Sequence, residues 1–144
     1  MKIQSIAFVL FLSVIMSCGS QKQTTQSDSL YNTRWELDYI SGPRIAFEGL
    51  FPDKKPELTF NKETNEVRGN SGCNGYSAPY TLKGMSISFG EPGPSTMMYC
   101  GEGEQQFRNM MQKINGYSFD EDGKLNLMMN EVSMMRFKKV SNSF

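Results

Sequence analysis

The chain has 144 residues, 15 acidic and 15 basic side chains, three cysteines and no histidine. Without an imidazole there is no Ser-His-Asp or Cys-His nucleophile activation and no histidine-bearing zinc site, and three thiols are too few for a four-cysteine zinc site. The two signs of charge are interspersed, so nothing draws the chain electrostatically to nucleic acid.

At the amino terminus Lys2 precedes an apolar run from Ile6 to Met16, broken only by Ser13 and ending in VIMSCGS. That run is about half the ~20 residues needed to span a bilayer. A basic start, a short apolar core and a small residue before a cleavage point are the pattern of a secretory signal. Ile15-Met16-Ser17-Cys18 resembles the bacterial lipobox. The resemblance implies cleavage before Cys18 and three acyl chains on it; several chains anchor stably where one binds reversibly. An ordinary signal peptide leaving Cys18 as a free thiol is the alternative. The expected organisation is a signal peptide over 1–17, an acylated cysteine and flexible polar tether over 18–29, and a folded domain over 30–144. Gly19 stands where an acidic residue would favour retention in the inner membrane, so the outer membrane, facing the periplasm, is expected.

From Thr33 short alternating segments separated by turn residues read as an antiparallel β protein. Strands are expected at about 33–41, 57–61, 65–69, 79–83, 85–89, 96–99, 117–120, 124–129 and 132–138, with Trp35, Leu37 and Tyr39 on one face of the first. Between Glu102 and Asn115 the apolar Phe107, Met110, Met111 and Ile114 recur at i, i+3, i+4 and i+7, the stripe of one amphipathic helix. SFDEDG at 118–123 has the start of a calcium loop, but Met129 stands where the bidentate glutamate belongs, so it reads as a turn. The methionine pairs 97–98, 128–129 and 134–135 would each send one side chain inward and one outward on a strand, which makes them core filling rather than a copper(I) site. In the last hairpin, core parity pairs Leu127 with Met135 and Leu125 with Phe137. That register requires an odd-length connection or a bulge, keeps Arg136 out of the core and leaves Met128 and Met134 as an exposed apolar pair.

The stretch RGNSGCNGYSAPY, from Arg68 to Tyr80, sets Cys73 among turn-forming residues. From its residue types alone that cysteine is a nucleophile, a metal ligand, half of a disulfide or a small apolar residue in a tight bend. Gly69, Gly72, Asn74 and Gly75 supply the bend, where positive φ and close backbone approach are expected.

Trp35-x-Leu37, Gly69-x-x-Gly72-Cys73-Asn74, Tyr80, Thr96-x-Met98-x-Cys100, Glu104-x-x-Phe107, Leu125-x-Leu127 and Phe137 form a series over residues 33–139 that resembles the META domain family, whose bacterial members include HslJ-like heat-inducible envelope lipoproteins. Two departures are Ala78-Pro79 before the tyrosine and Met111 in place of a leucine. The resemblance implies a mainly antiparallel, calycin-like β-barrel with one helix and a role in the envelope under stress, with no established enzymatic activity; with no histidine or recognisable dyad, no enzyme and no cofactor are expected. It also implies a pairing of Cys73 with Cys100, which would close a loop worth roughly 3.5 kcal/mol in the chain-entropy model; two reduced core cysteines are the alternative. The partners expected are the membrane, through the lipid anchor, and an unknown envelope protein. A second reading is a module for a small apolar ligand, with Trp35, Tyr39, Phe47, Phe51 and Phe60 lining its cavity.

Overall fold

The computed structural model describes residues 27–140. The segments expected as signal peptide and acylated Cys18, and most of the expected tether, lie outside the described residues, as do residues 141–144. The last three tether positions, 27–29, expected to be flexible, belong instead to a helical turn in which the Leu30 N–H donates to the Ser27 carbonyl at 3.1 Å. Leu30 is fully buried, and its carbonyl accepts the Trp35 Nε1–H at 3.0 Å, so burial and a satisfied indole fix the entry of the chain.

Eight strands follow: β1 Trp35–Ile40, β2 Glu57–Asn61, β3 Glu66–Asn70, β4 Gly75–Lys83, β5 Ser86–Phe89, β6 Gly116–Phe119, β7 Leu125–Met129 and β8 Val132–Lys139. They form one antiparallel sheet in the order β5-β4-β3-β2-β1-β8-β7-β6. The edges β5 and β6 share no ladder; among the described residues the Tyr117 N–H of β6 donates to the carbonyl of Met85, just before β5, at 3.0 Å. A short helix, α1 Phe47–Leu50, was not signalled by the sequence pattern, whereas α2, Glu102–Met111, is the expected amphipathic helix, one turn shorter than its apolar stripe. Phe107, Met110, Met111 and Ile114 are all buried, and Phe107 meets Tyr76 of β4 edge to face at 5.5 Å. Met111 fills a fully buried position, so its exchange for leucine is a volume-conserving one.

Two irregularities decide which side chains face the core. The β1–β8 register shifts between Leu37 and Tyr39, so Trp35, Leu37 and Ile40 are buried while Tyr39 is 43% exposed, not inward as alternation predicted. The β7–β8 ladder shifts between Leu127 and Met128, giving the expected pairs Leu127–Met135 and Leu125–Phe137. The connection itself is a two-residue turn, with Met129 opposite Val132 and Asn130 at φ 58°, so the bulge and not an odd-length loop absorbs the slip. Met128 and Met134 are half-buried, which corrects the expectation of an exposed pair; the Ser118 hydroxyl sits 3.3 Å from the Met128 sulfur.

Both shifts serve one ion cluster. Asp38, left outside the ladder, receives Arg136 Nε at 2.8 Å and Lys124 Nζ at 2.9 Å. Burial opposes ionisation of this carboxyl, but the two cationic donors outweigh it and hold its pKa below the ordinary 3.8. A lowered carboxylate pKa means stability that is present above the unfolded value and lost as pH falls through the folded one. Asp38→Asn is therefore expected to cost about 1.5 kcal/mol at pH 7 and to reduce the loss of stability below about pH 4, both measurable by urea unfolding.

Candidate functional site

Gly72, Cys73, Asn74, Thr96, Met98, Cys100 and Glu104 converge at the end of β3. Asn70 turns the chain by accepting the Gly72 N–H on its Oδ1 at 2.9 Å, and Gly72 has φ 101° with Phe51 packed against its Cα, a position no L side chain would fill. The Ser71 N–H donates to the Asn74 carbonyl at 2.9 Å and closes the turn. Gly75 makes no such demand: its φ is ordinary and a Cβ there would meet open space.

Asn74 is 4% exposed and holds three segments together. Its Oδ1 accepts the Thr96 hydroxyl at 2.7 Å and the Met98 N–H at 3.1 Å. Its Nδ2 donates to the Met98 carbonyl and to Glu104 Oε2, each at 2.7 Å. The other Glu104 oxygen accepts the hydroxyl of Ser71, which is fully buried. One asparagine thus binds both backbone groups of Met98 as a neighbouring strand would, and its second amide hydrogen ties down a glutamate in the first turn of α2, where a negative charge is favoured. Cys73 and Cys100 are joined as a disulfide beside this amide, with Cα atoms 6.0 Å apart.

Residues 96–99, expected as a strand, form no ladder. After β5 the chain follows the free edge of β4 irregularly: Gly90 N–H donates to the Pro79 carbonyl and Gly93 N–H to the Ser77 carbonyl, both at 2.8 Å, and the Ser95 hydroxyl reaches the Gly75 carbonyl. Pro92 and Pro94 lack the N–H groups a regular ladder needs. Without a second strand to bury either face, Met97, Met98 and Tyr99 are 97%, 66% and 86% exposed, so the methionine pair at 97–98 is not core filling.

Segment 93–101 and the Glu104, Gln105 and Arg108 face of α2 border a depression of about 660 Å³. Both Glu104 oxygens are engaged, whereas Arg108 makes no ion pair among the described residues. Beneath it the Tyr76 hydroxyl is buried with no hydrogen-bond partner among the described residues; burial pushes its pKa up to about 12, with the Arg108 charge pulling the other way.

Of the remaining motif residues, Trp35 and Phe107 are fully buried core. The five aromatics considered for a ligand cavity do not line one space: Trp35 meets Phe119, Phe60 meets Tyr80 and Phe89, Phe47 meets Phe51, and Tyr39 lies under Arg136. Sequence reasoning missed Ser71, whose role is visible only once Glu104, 33 positions away, is folded against it.

Comparison with known proteins places this arrangement. No curated protein matches the chain. The NMR structure of a protein from Burkholderia xenovorans superposes with a TM-score of 0.62 over 88% of this chain and 94% of that one, at 22% identity, a likeness of fold. The META domain matches residues 28–142, the whole sheet with both helices and the Asn74 cluster, and the chain belongs to that family.

Proposed function

We propose that this META domain is a non-enzymatic, lipid-anchored module of the bacterial cell envelope that acts during stress through an interaction surface. The observation that carries the reading is how the motif's chemistry is used. The polar side chains of Asn74, Thr96, Glu104 and Ser71 are spent on one another and on Met98, while the apolar side chains of Met97, Met98 and Tyr99 stand exposed beside them. Reactive groups held for catalysis would instead be left free to meet a substrate. We read the sheet, curled until Tyr117 reaches Met85, as a calycin-like barrel whose interior is occupied by its own side chains.

Acylation of Cys18 supplies the anchor in this reading, with the outer membrane, facing the periplasm, as its site. Cys18→Ala is expected to move the protein from the membrane to the soluble envelope fraction with its thermal unfolding unchanged, since the tether separates anchor from fold. Equal membrane retention of the variant contradicts the anchor.

The disulfide belongs to the same reading, because an exported domain matures where thiols can oxidise. In protein isolated from its own compartment, Cys73 and Cys100 are expected to resist alkylation, native or denatured, until a reductant is added. Full labelling after denaturation alone rules the bridge out.

A further inference from the structure

We infer that segment Thr96–Cys100 is an open β-edge that binds an extended, partly acidic peptide segment of a partner protein. This inference rests on the interaction-module reading above and names the partner's chemistry.

The N–H and C=O of Met98 both point to the Asn74 side chain, at 3.1 and 2.7 Å. The two backbone groups of one residue face the same side only when that residue is extended, and in an extended chain the neighbouring residues direct theirs to the opposite side. The N–H and C=O of Met97 and Tyr99 therefore face away from Asn74, and among the described residues they make no hydrogen bond. Most free edges are shielded by charge, by proline or by covering structure. Here the prolines stop at 94, and the side chains at the edge are two methionines and a tyrosine. The Asn74 amide, its Glu104 contact and the Cys73–Cys100 link fix the edge from behind, so little ordering remains to oppose binding.

Strand addition obtains affinity from main-chain hydrogen bonds and selectivity from side-chain contacts. The apolar contacts are Met97, Met98 and Tyr99, and the charged one is Arg108, which lines the same depression without a carboxylate partner. A second copy of this chain would bring another Arg108 to the contact, so a peptide with alternating apolar residues and an acidic one is the better complement.

The test is selection of displayed random 12-residue peptides on the mature protein lacking only its lipid. Enriched sequences are expected to alternate apolar residues and to carry aspartate or glutamate. Binding of the best synthetic peptide should slow exchange of the Met97 and Tyr99 amides in the unaltered protein. Met97→Pro, which removes one edge donor, and Arg108→Glu should each weaken that peptide at least tenfold while thermal unfolding stays within a few degrees. No enrichment, or peptides that leave both amides unprotected and bind both variants as before, overturns the inference. Concentration-dependent dimerisation abolished by Met97→Pro assigns the edge to a second copy, and sedimentation with phosphatidylethanolamine–phosphatidylglycerol vesicles assigns it to lipid; either overturns the peptide. The membrane fractionation of Cys18→Ala is independent of all these outcomes, so failure of the edge and failure of the anchored-module reading are separable.

Discussion

Asn74→Ala is expected to destabilise the domain by about 3 kcal/mol, because it deletes four part-buried hydrogen bonds made by a side chain that is itself only 4% exposed. The Met98 N–H and C=O, the Thr96 hydroxyl and Glu104 Oε2 lose the one side chain among the described residues that reaches all of them. Asn74→Asp should be about as damaging: it keeps the acceptor for Thr96 and Met98 but sets a carboxylate against Glu104 and removes both donors. Its deficit should shrink in acid, as protonation restores a donor, whereas that of Asn74→Ala should not. Denaturant unfolding from pH 7 down to pH 4 distinguishes them, and a loss under 1 kcal/mol for the alanine variant contradicts the role assigned to the amide.

Gly69→Ala is expected to be at least as costly, about 4 kcal/mol or more, for a reason of space. Gly69 lies opposite Leu58 in the β2–β3 ladder, and a Cβ there would fall on the carbonyl group of Glu57. Both atoms belong to backbone, so no side chain can turn aside; the ladder must open, and β2 is held on its far side by the Leu37 N–H, which donates to the Pro56 carbonyl at 2.9 Å. Gly75→Ala, three residues beyond Gly72, is the control and should change stability by less than about 1 kcal/mol, since nothing lies within 4 Å of where its Cβ would stand. Thermal unfolding of the two variants side by side reads the contrast.

These two positions show what the sequence made legible and what it did not. Alternation located most strands to within a residue or two, and the stripe through Phe107, Met110, Met111 and Ile114 located α2, because burial on one face imposes a period that survives without the fold. Parity in β7 and β8 also carried the register, since Arg136 had to stay out of the core. Parity failed at Tyr39, where a one-residue bulge reverses the faces and has no signature in the local sequence. It failed again at 96–99, where residues with strand propensity have no second strand and are paired by a side chain. The cluster was visible as a set of residues but not as an arrangement. Asn74 reads as a bend residue in GNSGCNG, and only the fold brings it to Met98 and Glu104, 24 and 30 positions away.

Amide hydrogen exchange across residues 95–101 of the mature, oxidised protein reads directly whether the Asn74 side chain holds Met98 while the Met97 and Tyr99 backbone stays open. Slow exchange is expected at Met98, whose N–H is held by the nearly buried Asn74 side chain, between fast exchange at Met97 and Tyr99. In Asn74→Ala the Met98 amide should exchange as fast as its neighbours. Uniformly fast exchange in the unaltered protein, or protection at Met97 and Tyr99 without any partner present, would contradict that arrangement.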